Sequence, residues 1–450
     1  MFCRNIRCVV LFVALAALMA VSLRSARALD DGPTLVTLRD ADNGVSATLQ
    51  ADQVLVIDIE QNASTGFMWE VTGIDASNLK QLETSFVPAP ARLDGKPWVG
   101  APGRQVLRFA ALKAGTSMLT LAYRRSWEKD TPPERTYTAQ VTGADPVSGA
   151  ALVYAPAAPT MAQAGSLEPN ASFIPEPGAS EVLTPALNWC STNNPLSRDV
   201  CSAVKNQGSC GSCWAFGTEG VVEAAIKKAD GVERDTSEQY LVSCNVQGAS
   251  CNGGWWAFGP SINQVPAGET NPGVRYESDF AYQASNAACN PPYAAHEVLV
   301  NSGSVALTVD AIKQAISDYG PVAAAICVGP AFSAYSSGIF ATDEVTKCNG
   351  SVNHAIVLFG WDDTDGTWLL RNSWGPGWGQ AGTMRIKWGT SKVGYGATYA
   401  VYNGPSANYN VAGFVRTPDG LGVAKATVSF TGSGARPSVT TNDSGYFIQT

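Results

Sequence analysis

The chain has 450 residues, 45% of them hydrophobic and 15% charged, and a formal net charge of −8 at pH 7. So much apolar material allows several domains with real cores, and a dispersed acidic excess leaves no basic footprint for nucleic acid.

At the start, Arg4 and Arg7 precede an apolar run from Cys8 to Val21, and Ala26-Arg27-Ala28 offers a small-residue cleavage site before Leu29. This predicts a signal peptide over 1–28 and a secreted or extracytoplasmic protein. No later stretch is apolar enough to span a bilayer, so no membrane span is expected. Within 29–142, short runs alternate apolar and polar: Leu35 to Leu38, Val54 to Ile57, Val106 to Phe109 and Met118 to Leu121. Such spacing predicts an all-β sandwich. Residues 143–184 are rich in Pro, Ala and Ser, as in Tyr154 to Pro159, and read as a linker. A flexible segment of roughly forty residues has a root-mean-square reach of about 35 Å.

Next comes Gln207-Gly208-Ser209-Cys210-Gly211-Ser212-Cys213-Trp214-Ala215-Phe216. Trp214, Val221, Val222 and Ala225 follow helical spacing, Lys227 and Lys228 fill the last turn, and Asp230-Gly231 stops it. Cys213 therefore opens an amphipathic helix, where the partial positive charge of the helix end favours thiolate over thiol. A cysteine nucleophile needs an imidazole partner, an orienter for it and donors for an oxyanion. The chain holds two histidines. His296 lies in a loop-like stretch without chemical neighbours. His354 instead enters an apolar run, Ala355 to Leu358, that reads as a buried strand. A second apolar strand ends in Asn372-Ser373-Trp374, where Asn372 can fix an imidazole and Trp374 can shield that bond. Further strands are predicted over 322–326, 355–361, 367–372 and 383–388, and a helix from Val309 to Tyr319 behind Thr308. The pair Cys210 and Cys213 also has the spacing of a redox or zinc motif. Zinc would need more ligands at such spacing, and a redox site an early βαβ unit; neither is present, so no metal or cofactor is expected.

Residues 185–403 resemble a papain-like cysteine peptidase. Besides the segment around Cys213, the resemblance rests on Ser237 to Cys244, Cys251-Asn252-Gly253-Gly254, Asn353-His354-Ala355 and Asn372 to Gly379. It implies an α+β fold of a helical and a β-rich half with a cleft between, and protein or peptide substrates. It implies Cys213 as nucleophile, His354 as acid/base, Asn372 as orienter and Gln207 as side-chain oxyanion donor. Gly253 and Gly254 match positions whose bare backbone pairs with an extended substrate. Asn353 and Trp374 flank the site, and Trp256 is expected either at a subsite or in the core. Cys3 and Cys8 fall in the leader, and setting Cys213 aside leaves an even set that suits an oxidising compartment. Resemblance implies Cys210–Cys251 and Cys244–Cys289. Cys190–Cys201 and Cys327–Cys348 are expected for the rest, although sequence does not fix connectivity.

Within 29–142, three loops resemble those of chagasin-type inhibitors of cysteine peptidases, which are immunoglobulin-like sandwiches. They are Asn62 to Phe67 with Thr65 and Gly66, Gly100 to Gly103, and Arg125-Ser126-Trp127-Glu128. The chain would then carry an intramolecular inhibitor, and cleavage between 143 and 190 would activate a zymogen. At the end, Val411 to Val415, Ala426 to Phe430 and Thr440 to Phe447 resemble the opening strands of a carboxypeptidase-regulatory-type module, a partial β-sandwich over 409–450. The leading expectation is a secreted thiol endopeptidase. The alternatives are an adhesion protein using the enzyme fold as scaffold, and a secreted inhibitor aimed at foreign peptidases.

Overall fold

A computed structural model describes residues 34–51, 53–89, 98–145, 183–404, 411–418, 420–429 and 438–449. The expected signal peptide at 1–28 and nearly all of the expected linker lie outside the described residues.

The N-terminal part is built from β1 (Thr34–Arg39), β2 (Ser46–Leu49), β3 (Gln53–Gln61), β4 (Met68–Gly73), β5 (Leu79–Val87), β6 (Gly103–Ala111), β7 (Gly115–Arg124) and β8 (Arg135–Gly143). They form two four-stranded sheets, ordered β1-β3-β6-β5 and β2-β8-β7-β4. The period of two along each strand decides what lies between the sheets. Leu55, Ile57 and Ile59 of β3 join Leu119, Leu121 and Tyr123 of β7 and Tyr137, Ala139 and Val141 of β8 in one buried cluster. The alternate residues Val54 and Val56 pack with Val106 on the outer face. The loops β3–β4 and β7–β8 and the strap leading into β6 share one end of the sandwich.

The larger part runs through β9 (Ala186–Asn188), α1 (Cys213–Asp230), α2 (Glu238–Cys244), α3 (Gly259–Ile262), β10 (Asn301–Ser304), α4 (Val309–Tyr319), β11 (Val322–Ile326), α5 (Pro330–Ser333), β12 (Ile339–Phe340), β13 (His354–Asp362), β14 (Thr367–Arg371), β15 (Thr383–Lys387) and β16 (Tyr395–Val401). Its strands form an eight-stranded sheet, ordered β10-β16-β11-β13-β14-β15-β12, with β9 on β13. Strand periodicity divides the core. Ala323, Ala325, Ala355 and Val357 share a cluster with Trp214, Val221 and Val222 of α1. Ile326, Ile356 and Leu358 share the other with Ile312 and Ile316 of α4. The helix carries glycine where it meets the sheet. A Cβ on Gly217 would stand 3.5 Å from that of Ala355, and one on Gly220 would stand 3.2 Å from Val357 Cγ2 and collide with the Arg371 guanidinium. Glycine inside a helix costs about 1 kcal/mol, and here it sets the distance between α1 and β13.

Helix α1 ends where Gly231 takes the left-handed conformation at φ 80° and donates its N–H to Lys227 O. Helix α4 starts with the Thr308 hydroxyl accepting from Ala311 N. Among the described residues, four disulfides join Cys190–Cys201, Cys210–Cys251, Cys244–Cys289 and Cys327–Cys348, and Cys213 is free. Among the described residues no helix is long and apolar enough to cross a membrane. Near the C-terminus, β17 (Val411–Phe414) pairs with β20 (Tyr446–Gln449), and β18 (Thr427–Val428) with β19 (Val439–Thr440), both antiparallel.

Candidate active site

Cys213 is the first residue of α1, and the loop before it is fastened from both sides. Gln207 donates its N–H to Ser373 O at 2.8 Å, and its Oε1 accepts from Ser373 Oγ at 2.7 Å. Its Nε2 donates to Cys210 O at 2.9 Å, while Gly211 N reaches Cys251 O at 2.9 Å beside the Cys210–Cys251 disulfide. The amide of Gln207 is thus held fully buried next to the loop that leads into Cys213.

His354 opens β13. The antiparallel register pairing Val357 with Arg371 returns Asn372 to the start of that strand. Asn372 Oδ1 lies 2.8 Å from His354 Nε2 and also accepts from Ser373 N at 2.8 Å. An oxygen that accepts a backbone N–H fixes the amide's orientation, so Nε2 must be the protonated ring nitrogen. His354 Nδ1 is then the lone-pair nitrogen, and it has no hydrogen-bond partner among the described residues. Trp374 covers the pair, with its ring 5.0 Å from the imidazole. Cys213 lies by the same strand end, since its sulfur takes a hydrogen bond from the Ala355 backbone.

The sandwich's end rests on this site. From the β3–β4 loop, Ser64 O accepts from Trp374 Nε1 at 2.8 Å, and the Ser64 side chain lies beside the Cys213 sulfur. Thr65 is buried, its carbonyl accepting from Arg125 Nε at 2.8 Å. Gly66, at φ 78°, has no room for a Cβ beside the Trp127 and Trp374 rings. From the β7–β8 loop, Trp127 stacks on Trp374 with ring centres 5.3 Å apart and planes 14° apart. Arg125 Nη1 donates to Asn206 Oδ1 at 2.9 Å and Nη2 to Gly208 O at 3.0 Å. The strap before β6 lies in the groove itself. Val99 exchanges both main-chain bonds with Gly254, N to O at 3.1 Å and O from N at 2.9 Å. Gly100 N donates to Asn353 O at 2.9 Å, and Trp98 Nε1 to Asn252 O at 2.8 Å.

This cover changes the chemistry expected at the helix end. Cys213 is completely buried, which pushes its thiol up to about 12, with the Ala355 backbone and the neighbouring Ser64 side chain offsetting only part. Burial likewise pulls the His354 imidazole down to about 4; the bond to Asn372 opposes this, and the charge of Arg125 adds to it. With the sandwich docked, burial disfavours the charged form of both groups, against the thiolate that the helix end alone would favour.

Gly254 pairs with Val99 of the strap, a Cβ on Gly253 would collide with the Trp98 ring, and Asn353 contributes through its main-chain oxygen. Trp256 is not an open subsite wall. Its indole is buried, donates to Gly396 O at 2.8 Å, and belongs to the apolar cluster that also takes in Val99, Cys213 and Ala355. His296 does have chemical neighbours: Nε2 lies 2.8 Å from Asp279 Oδ2, and the ring stacks on Tyr276 at 3.6 Å. The turn at 273–279 that brings these groups together is tertiary and leaves no mark in the sequence around His296. Three residues now prominent, Trp98, Val99 and Asn62, were not singled out by sequence reasoning. Asn62 begins the loop motif, so that motif was its signal; Val99 works through main-chain atoms and had none. The one set of donor atoms close enough for a metal among the described residues, Cys190, Asp199 and Cys201, spends both sulfurs in a disulfide.

Residues 190–403 match the family model described as Papain family cysteine protease, and residues 48–141 that described as Chagasin family peptidase inhibitor I42. Similar proteins include Cysteine proteinase 2 of Zea mays, 37% identical over 210 residues that cover 45% of this chain and 56% of that one. Pro-cathepsin H of Bos taurus is 32% identical over 219 residues, covering 47% and 62%. Among solved structures, the bromelain protease from Ananas comosus in complex with the E64 inhibitor is 26% identical, covering 49% of this chain and 99% of that chain, with a TM-score of 0.42. The chain thus spans less than two thirds of the length of these curated relatives. Residues 190–403 thus carry the match to the papain family of cysteine proteases, and residues 48–141 ahead of them carry the match to the chagasin family of peptidase inhibitors.

Proposed function

We propose that this protein is an exported cysteine endopeptidase held shut by its own N-terminal domain and released when the segment between 143 and 190 is cut. The observation that carries this is the strap seated on Gly254 while the β3–β4 loop covers Cys213. In that state neither the nucleophile nor the groove can receive a substrate.

Once the sandwich leaves, water returns to the site, the desolvation that holds the thiol up is relieved, and the N-terminus of α1 favours thiolate. Cys213 Sγ then attacks the scissile carbonyl carbon, with Gln207 Nε2 and the Cys213 N–H as donors to the oxyanion. His354 imidazolium, oriented by Asn372, gives its proton to the leaving amine as the C–N bond breaks. Water hydrolyses the thioester with His354 as base. Residues 409–450, which contribute the β17–β20 and β18–β19 pairs, we read as the opening of a β-sandwich spacer.

The test uses a thiol-directed epoxide and a fluorogenic peptide on the intact chain and on the chain after limited proteolysis of the linker. Labelling and hydrolysis are expected only after the cut, with both lost in Cys213→Ala. Hydrolysis that survives Cys213→Ala would contradict the assignment.

A further inference from the structure

The strap runs as a substrate would, yet it is not arranged to be cut. Its direction is fixed by three main-chain contacts. Val99 pairs both ways with Gly254, the next residue Gly100 donates to Asn353 O beside His354, and a Cβ on Gly100 would stand 3.3 Å from Cys213 Sγ. An extended peptide on the same glycine would present its scissile carbonyl at the place now held by Gly100. That carbonyl is turned elsewhere. Gly100 O accepts from Asn62 Nδ2 at 2.7 Å and lies against bare Gly211, which has no room for a Cβ beside it. Gln207 Nε2, the side-chain donor that would polarise a scissile carbonyl, gives one hydrogen to Cys210 O, and Gly100 O is bonded to Asn62 instead. Gly100 sits at φ 85°, outside the range an extended L-residue adopts, so glycine is what permits the turn. Asn62 is itself braced for the task, accepting from Ser64 N at 3.2 Å and Ser64 Oγ at 2.7 Å through Oδ1, while its N–H donates to Tyr123 Oη at 3.0 Å.

We propose that Asn62 is the positioning residue that makes this strap an inhibitor instead of a substrate, and that Gly100–Ala101 is a latent self-cleavage bond. The proposal rests on the peptidase function argued above. Without the Asn62 amide, the Gly100 peptide is free to rotate toward the Gln207 and Cys213 donors. Cys213 passes its thiol proton to His354 as Sγ bonds to the Gly100 carbonyl carbon, the bond to Ala101 N breaks, and that nitrogen takes the proton from the imidazolium so formed. Water splits the thioester, leaving a Gly100 carboxylate and returning a proton to His354.

The experiment compares the full chain with Asn62→Asp, which keeps the Oδ1 acceptor for Ser64 but removes the donor to Gly100. Intact mass and N-terminal sequencing should show a new terminus at Ala101 in Asn62→Asp. It should be at least about a hundredfold more abundant than in wild type, the range expected when an oxyanion is gained or lost. The double variant with Cys213→Ala should stay whole. A second arm covers the case in which Asn62→Asp loosens the whole domain: a capped peptide of residues 98–103 is offered to the linker-cut wild-type protein and should be split between Gly100 and Ala101. If that peptide and Asn62→Asp both stay whole while the linker-cut protein hydrolyses other peptides, the latent bond is refuted and the peptidase function stands. If the linker-cut protein hydrolyses nothing, the peptidase function falls and the proposal with it.

Discussion

Cys213 and His354 are displaced in opposite directions under the sandwich, the thiol to about 12 and the imidazole to about 4. If the open site holds an ion pair, docking returns one proton from ring to sulfur with no net exchange with solvent near neutrality. The intact chain should therefore resist alkylation, with iodoacetamide reacting at Cys213 at least about a hundredfold slower than in the linker-cut protein, since the thiolate is the nucleophile. Equal rates would contradict the neutral pair. A second buried acid offers an independent check on the fold. Glu219 lies on α1 close to the buried Glu223 and Glu238, with one carboxylate oxygen unpartnered, and burial pushes it up to about 8. A carboxyl whose folded value is raised binds its proton more tightly when folded, so it costs stability as pH rises from its ordinary value near 4.5 to about 8. In urea unfolding of the full chain, Glu219→Gln should remove a component of the pH dependence that lowers stability by about 3–5 kcal/mol across that interval. An unchanged slope in Glu219→Gln would place the titration elsewhere.

Among the elements, the loop bearing Arg125 acts as the bolt between the two parts. Its guanidinium is buried and donates to Thr65 O within the sandwich and to Asn206 Oδ1 and Gly208 O across the interface. Charged hydrogen bonds of this kind contribute about 1.5–3 kcal/mol each. Arg125→Ala should raise the peptidase activity of the intact chain at least tenfold, and Arg125→Lys should restore little, because a point charge cannot replace the fork. Gly100→Ala should act the same way by a different cause: its Cβ would enter Gly211 O and its φ is unfavourable for alanine. Intact-chain activity equal to wild type in both variants would argue that these contacts do not hold the domain down. Elements of this scale were also the most legible in the sequence. The helices from Cys213 and from Val309, and the strands at 322–326 and 383–388, follow from period and caps, which are local. The contacts that matter most are not local. Trp374 Nε1 meets Ser64 O across 310 residues, and Val99 pairs with Gly254 through main-chain atoms that every residue has. The neighbours of His296 were not legible, and Trp256 stayed open between subsite and core, for the related reason that a side chain's neighbours are set by folding, not by its flanking residues.

For the whole molecule, regulation depends on the linker more than on the strength of the interface. A flexible tether of this length gives an effective concentration of about 1 mM, so even a micromolar interface would leave the groove covered almost all the time. Cutting the linker replaces that value with the actual protein concentration. The most direct measurement is thus a dilution series, from micromolar to nanomolar protein, of peptide hydrolysis by the intact chain and by the chain cut between 143 and 190. Activity per molecule should stay low and constant for the intact chain, and should climb with dilution for the cut chain until it reaches a plateau. An intact chain that hydrolyses peptide as fast as the diluted cut chain would contradict a self-shuttered peptidase.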